Sequence, residues 1–347
     1  MSSSLAYRTD HEQVTFFHDQ PTGLRAIVAI HSTVRGPAVG GCRMYPYVST
    51  SDALRDVLRL ARAMSYKSAV MELPFGGGKS VILGDPLRDK SDALLHAMGR
   101  AVDSLGGRYV MADDVGTTVR DMDLVREVTA HAAGVAGADG EPCPATAWGV
   151  FHGIRAVVRH SLGRADLQGV RVAVQGLGSV GGRLARILSD AGAELVVTDL
   201  RRDLVERVAD EVHAEPVAPG DILRADVDVL APCAMGDVFN DETIPTLRCR
   251  AIAGGANNQL GAARHADALR KRGIVYAPDY VVNAGGLIDV AHEGPSYNPA
   301  AVVSACARIY DTVLDILGEA DRAGTSPLAV ADAIAEARMR TGRGFDG

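Results

Sequence analysis

Residues 170–181 read VRVAVQGLGSVG, and the fold turns on them. A short apolar run ends in Gly176-x-Gly178-x-x-Gly181 and continues as RLARILSDAG, which predicts a buried strand, a glycine turn and a helix. Gly176 permits the tight turn, Gly178 lets backbone approach a pyrophosphate, and Gly181 lets helix and strand pack closely. Ser179 and Val180 open the helix, whose N-terminus offers amide donors and a partial positive charge to phosphates. A second strand, ELVVTD, ends in Asp199, 23 positions after Gly176. That carboxylate is placed to accept from an adenosine ribose and to repel a 2′-phosphate, so NAD is expected over NADP. Arg201 and Arg202 keep NADP open, because a neighbouring arginine accommodates the extra phosphate. Strands and helices alternate from Val170 to Asp279, which predicts an α/β fold with a doubly wound, mostly parallel sheet of the Rossmann type.

At 347 residues the chain exceeds what one core usually organises. Two domains are expected, residues 1–135 and 145–325. The breaker-rich stretch HAAGVAGADGEPCP, 131–144, reads as the hinge, and a last helix within 328–347 is expected to return to the first domain. Hydrophobic residues make up 47% of the chain, yet no apolar run reaches the roughly 18 to 20 residues that span a bilayer. The opening MSSSLAYRTD lacks a charged-then-apolar signal pattern. With 36 basic and 43 acidic residues interspersed, no nucleic-acid or membrane partner is expected. Five scattered cysteines (Cys42, Cys143, Cys233, Cys249 and Cys306) without CxxC spacing read as reduced thiols of a cytoplasmic protein, with no metal site.

In the first domain, residues 24–33 read as a strand and residues 36–44 as a glycine-broken turn and strand. A helix follows, capped from Ser49, Thr50 or Ser51, with Leu54, Val57, Leu58, Ala61 and Met64 at helical spacing. Lys67 is expected just past its last apolar turn. A second helix over 91–105 leads to the strand YVMA, which delivers Asp113 and Asp114. Between them lies LPFGGGKSVILGD, 73–85. A phosphate-binding loop of a nucleotide hydrolase needs a glycine, four residues of any kind and then Gly-Lys-Ser, but Leu73 stands at the leading position and Pro74 removes an amide. The triple glycine therefore reads as a loop, and Lys79 is free for other chemistry.

The segments GPAVGGCRM, LARAMSYKSAV, LPFGGGKSVILGDP, RYVMADDVGTT, PATAWGV, LAPCAMGDVFND, GGANNQL and YAPDYVVNAGGLI follow one another over Phe17 to Arg338. In that order the chain closely resembles the glutamate, leucine, phenylalanine and valine dehydrogenases, especially the branch acting on monocarboxylic amino acids. The resemblance implies two domains with the reaction in the cleft between them. It implies that Lys67 grips the substrate α-carboxylate, with Gly40 and Gly41 as a turn approaching it and Met64 close by. It makes Lys79 the catalytic acid/base and Asp114 the group that handles protons on the substrate nitrogen. Thr146, Asn258 and Asn283 match positions near nicotinamide and amino acid. Physically, a partly desolvated lysine with a second ammonium nearby has its charged form disfavoured and can serve as a base.

Where glutamate enzymes of the family carry a lysine and a serine for the second carboxylate, this chain has Val39 and Val290. An apolar pair there would leave that carboxylate unpaired, which disfavours glutamate. Ala112 resembles the branched-chain enzymes, and Leu287 the phenylalanine type. A branched-chain substrate such as leucine or valine is expected, with phenylalanine or another aromatic amino acid as the alternative. Departures near the pocket, AHEGPSYN after Val290 and MELPF before the glycines, bear on that choice. A homo-oligomer is the assembly the resemblance implies. A dinucleotide-binding sensor without turnover is the competing class, against which the presence of Lys67, Lys79 and Asp114 argues.

Overall fold

The computed structural model describes residues 10–134, 145–234, 236–294 and 296–341. The chain divides into two compact units, residues 1–142 with 336–347, and residues 143–335. The hinge expected at 131–144 lies outside the described residues from 135 onward.

In the first unit the elements run β1 (Gln13–Asp19), β2 (Leu24–Ser32), β3 (Ala38–Tyr45), α1 (Thr50–Val70), β4 (Gly76–Leu83), α2 (Asp92–Asp103), β5 (Tyr109–Asp113) and α3 (Val119–Arg126). The sheet order is β1-β2-β4-β3-β5; β3 is parallel to β4 and β5, while β1 and β2 add on antiparallel. Alternation splits the sheet into two faces. Ala26, Val28, Ile30, Cys42, Met44, Ile82, Tyr109 and Met111 point one way, into a core with Leu95, Met98 and Met122. Ile27, Ala29 and Val81 point the other way, under Ala53, Val57 and Ala61 of α1. That helix begins where Ser49 accepts from the Asp52 amide, an N-cap that sets its entry.

Three local expectations change. The triple glycine is no loop but most of the first half of β4, hydrogen-bonded between β2 and β3. Glycines are poor strand formers in isolation, but here close packing decides. A Cβ on Gly77 would sit 2.0 Å from the Ser65 amide nitrogen of α1, and one on Gly78 2.8 Å from the Tyr109 ring. Gly40 and Gly41, expected as a turn, lie inside β3 for the same reason, a Cβ on Gly40 falling 1.8 Å from the Gly78 carbonyl oxygen. Lys67 is not past the helix: α1 runs on to Val70, and every residue from Ser65 to Val70 is buried. Such a stretch shows no amphipathic period, so the pattern ends before the helix does. Its last turn is held by the end of the chain, where Arg338 Nη1 donates to the Ala69 and Val70 carbonyls at 3.2 and 2.5 Å. The Tyr66 hydroxyl donates to Glu336 at 2.9 Å.

A histidine pair lies against the same helix. His31, 7% exposed, has Nδ1 2.8 Å from Ser65 Oγ and meets the His11 ring edge-on at 4.9 Å. Burial, then the charge of His11, push its pKa below the ordinary 6.5, with Asp10 opposing. A folded-state pKa below the unfolded one means that unfolding takes up a proton, so this stability is full above about pH 6.5 and is lost as the pH falls toward the folded value. Melting temperature is expected to drop between about pH 7.5 and pH 5.5 in the parent protein and to drop less in His31→Gln; equal slopes in calorimetric scans would refute the assignment.

The second unit comprises α4 (Ala145–Leu162), β6 (Arg171–Gln175), α5 (Ser179–Asp190), β7 (Glu194–Thr198), α6 (Arg202–Val212), β8 (Glu215–Pro216), β9 (Val229–Pro232), β10 (Ala251–Ile252), α7 (Arg264–Lys271), β11 (Val275–Tyr276), α8 (Asp279–Val282), α9 (Gly285–Ala291), α10 (Pro299–Cys306), α11 (Arg308–Ala323) and α12 (Pro327–Thr341), whose end belongs to the first unit. All sheet pairings are parallel, in the order β11-β10-β9-β6-β7-β8. From β6 the chain builds outward through β7 and β8, then returns to β9 and builds the opposite way. The order therefore reverses at the C-terminal end of β6, where such sheets bind ligands. Helices α10 and α11 meet at Ala307; α10 packs on α9 and α4, and α11 on α4 and α8. Among the described residues no helix is long and apolar enough to cross a membrane.

Candidate active site

In the first unit, sheet alternation brings the expected residues onto one face. Val39 and Gly41 of β3, Lys79 of β4, and Ala112 with Asp114 of β5 and the turn after it all fall on the side that α1 covers. The helix crosses that face at Gly77 through Ser65, flanked in sequence by Met64 and Lys67. Gly41 is the gap beside Lys79 and Asp114: a Cβ there would lie 2.8 Å from Asp114 Cβ and 3.0 Å from Lys79 Nζ. Lys79 is 5% and Lys67 8% exposed, unusual burial for ammonium groups.

Lys79 Nζ stands 3.1 Å from Asp114 Oδ2. The charge at 3.1 Å from this lysine is thus a carboxylate. Burial raises the Asp114 pKa, but Lys79 and then Arg43 more than offset it, holding the carboxyl at about 2. The turn carrying Asp114 is fixed by Thr117, whose hydroxyl accepts from the Asp114 amide at 2.9 Å and donates to the Cys42 carbonyl at 2.8 Å. Below it, the Tyr109 hydroxyl donates to the Gly40 carbonyl at 2.6 Å, bracing β3 against β5.

In the second unit the glycine turn has the form its sequence implies. Gly176 sits at φ +92°, and an added Cβ would lie 2.8 Å from Ala234. A Cβ on Gly181 would lie 1.8 Å from the Gly176 carbonyl oxygen, so α5 rests directly on the turn. At Gly178, by contrast, a Cβ would meet nothing within 4 Å, which leaves the side of the turn facing a phosphate open. Ser179 is exposed beside it, and Val180 packs on Gly255. Asp199 has a duty besides any ribose: its carboxylate accepts from the Leu177 amide at 2.7 Å and the Arg201 amide at 2.9 Å, fastening the turn.

Asn283 donates from Nδ2 to the Gly255 carbonyl at 3.2 Å and to Asn257 at 2.8 Å, while its Oδ1 is buried with no partner. An orphaned acceptor of this kind fits a ligand amide or ammonium donor. Asn258 holds a left-handed backbone, φ +52°, a conformation asparagine tolerates. Thr146 Oγ1 lies 3.1 Å from where a Cβ on Gly286 would be, so α9 passes close to it, with Leu287 and Val290 one turn apart on that helix. An open glycine turn, an acidic strand end and an orphaned amide oxygen together fit a dinucleotide.

Arg43, Asp56 and Tyr109 escaped notice in the sequence. For Arg43 a signal was available, since Val39, Gly41 and Arg43 alternate onto one face of β3. Tyr109 and Asp56 gave none, because their partners are 69 and 13 residues away.

The profile of the Glu/Leu/Phe/Val dehydrogenase dimerisation domain matches residues 11–131, and that of the glutamate/leucine/phenylalanine/valine dehydrogenases matches 137–199 and 198–294. The chain is 47% identical to a leucine dehydrogenase of Geobacillus stearothermophilus, over 96% of this chain and 92% of that one. It is 46% identical to a valine dehydrogenase of Streptomyces albus, over 96% and 93%. Among solved structures it is similar to the L-tryptophan dehydrogenase of Nostoc punctiforme, with a TM-score of 0.81, 42% identity, and coverage of 96% and 97%. Likeness of this degree over nearly the full length of these proteins, together with the two profile matches, places the chain in the Glu/Leu/Phe/Val dehydrogenase family of oxidoreductases.

Proposed function

We propose that the protein is an NAD-dependent L-amino-acid dehydrogenase that reversibly deaminates a branched-chain substrate such as leucine or valine to the 2-oxo acid and ammonia. The observation that carries this reading is the buried Lys79–Asp114 pair, 3.1 Å apart on the face where Gly41 leaves room for a reacting group. When bound between the Gly176–Gly181 turn, Asp199 and Asn283, NAD supplies the acceptor for hydride from the substrate Cα. The residues of the chain do the rest. Lys67 orients the α-carboxylate. Asp114, ionised at neutral pH, takes a proton from the substrate ammonium and, being a weak base, gives it back readily to the departing ammonia. Its protonation cancels the charge facing Lys79 Nζ; once Lys79 has released its own proton to solvent, the amine takes one from the water that attacks the substrate iminium. Ammonia leaves from the nitrogen that Asp114 reprotonates as the carbinol O–H proton is lost and the 2-oxo acid forms.

Val39 and Ala112 of the first unit, and separately Leu287 and Val290 of the second, carry no charge with which a side-chain carboxylate could pair, which supports an apolar substrate side chain. A methylene or two is worth only about 1 to 3 kcal/mol of discrimination, so more than one aliphatic substrate is expected to turn over. Homo-oligomeric assembly accords with the dimerisation-domain match over the first unit. NADH absorbance followed with a panel of L-amino acids, and in reverse with 2-oxo acids and ammonium, tests the reading. Leucine and valine should lead; a higher kcat/KM for phenylalanine or tryptophan would reassign the pocket to aromatics, and no signal with any amino acid would leave a dinucleotide-binding sensor.

A further inference from the structure

Arg43 and Lys79 meet Asp114 at the same carboxylate oxygen. Arg43 Nε donates to Asp114 Oδ2 at 3.0 Å, the oxygen that Lys79 Nζ meets at 3.1 Å. Its far end is tied to α1, where Nη1 donates to Asp56 Oδ2 at 3.0 Å and the Tyr47 hydroxyl donates to that same oxygen at 2.6 Å. The Arg43 and Asp114 side chains are 17% and 14% exposed, so little solvent competes. Asp114 Oδ1 accepts no hydrogen bond among the described residues.

The geometry points to Arg43 as a positioning residue for deamination: with Lys79 it fills Asp114 Oδ2, fixes the rotation of the carboxylate, and leaves Oδ1 as the oxygen that exchanges protons with the substrate nitrogen. Asp56 and Tyr47 hold Arg43 in turn. This rests on the role proposed above for Asp114.

Arginine suits the task for a definite reason. Two cations meet one oxygen, and only one of them can lose a proton under working conditions. Lys79 can exchange a proton with Asp114; the guanidinium stays charged throughout, so it orients the carboxylate without draining protons from the site. An oxygen already holding a charge-assisted hydrogen bond from Arg43 Nε and an ion pair with Lys79 is a poor acceptor for a further donor, which directs the substrate proton to Oδ1. The fork shape also lets Nε and Nη1 serve Asp114 and Asp56 at once, tying the turn after β5 to the helix that bears Lys67.

Steady-state kinetics on the full-length protein test this. In Arg43→Ala, kcat for the best amino acid should fall by about 10- to 100-fold with KM changed less than about threefold, because the misplaced group acts on nitrogen and not on the carboxylate. Ethylguanidinium at millimolar levels should restore part of kcat, whereas urea, uncharged and of similar shape, should not. Arg43→Lys should retain more activity than the alanine variant, and Asp56→Asn should lower kcat in the same direction by less. A kcat within twofold of the parent, a loss confined to KM, or equal response to both additives would overturn the proposal. Melting curves and NADH binding report folding; if the alanine variant does not fold, Arg43→Lys and Asp56→Asn both keeping the parent kcat would overturn it equally. Asp114→Asn separates the two readings. If it is active, the Asp114 role and this proposal fail together; if it is inactive while Arg43→Ala is unimpaired, only the Arg43 proposal fails.

Discussion

Replacing Lys79 by alanine is expected to cut kcat by about 10²- to 10⁴-fold, the range a positioned acid/base supplies, while NADH binding persists. The side chain is 5% exposed and faces Asp114 across 3.1 Å, whereas the glycine turn that suits the dinucleotide belongs to the other compact unit. Loss of activity should therefore appear without loss of cofactor affinity, measured by quenching of protein fluorescence. Some stability should go as well. Asp114 is lowered from 3.8 to about 2, and a depressed carboxyl contributes stability that is present above the unfolded pKa and lost as pH falls through the folded one. The shift corresponds to about 2 kcal/mol at neutral pH, shared between Lys79 and Arg43. The alanine variant keeps Arg43 on Asp114 and is expected to fold, melting lower at pH 7 by an amount that shrinks toward pH 2. Turnover within tenfold of the parent would end the assignment of Lys79 as acid/base.

Gly77→Ala should be among the most damaging single methyls in the first unit. The added Cβ would stand 2.0 Å from the Ser65 nitrogen, 2.3 Å from its Oγ and 2.5 Å from its Cα. Two of these are main-chain atoms, so no rotamer change relieves the overlap, and α1 must lift from the sheet. Overpacking of this kind costs about 3 kcal/mol, at the upper end of the usual range. For a unit of this size that is a fall in melting temperature of roughly 10 °C. Because Ser65 lies between Met64 and Lys67, the lifted helix should also raise KM for the amino acid. Gly318→Ala, in α11 with nothing within 4 Å of its added Cβ, provides the contrast: there the substitution should be neutral or stabilise by about 0.5–1 kcal/mol through helix propensity. Equal melting of the two variants would show that the Gly77 contact is not what selects glycine.

The second unit was legible because its signal is local. A strand, Gly176, Gly178, Gly181, a helix and Asp199 lie within 30 residues, and each glycine has its own steric demand, so the fold and the form of the glycine turn could be read before any tertiary contact was known. Asp114, Lys67 and Lys79 were legible through the order of their motifs, not through periodicity. The part of α1 that carries Lys67 was misjudged because a helix buried on all sides has no polar face to reveal it.

By itself the sequence determined the doubly wound architecture, the dinucleotide turn and the identities of the candidate lysines and aspartate, since these follow from short-range spacing and the chemistry of single side chains. Only the tertiary structure decided that GGGK is a strand and that Gly41 is the gap beside Lys79 and Asp114. It alone showed that Lys79 faces an anion and that Arg43 shares that carboxylate. These four depend on which strand lies beside which: β3 is flanked by β4 and β5, bringing residues 43, 79 and 114 to one point, and neither hydropathy nor propensity encodes a contact between positions that far apart in the chain.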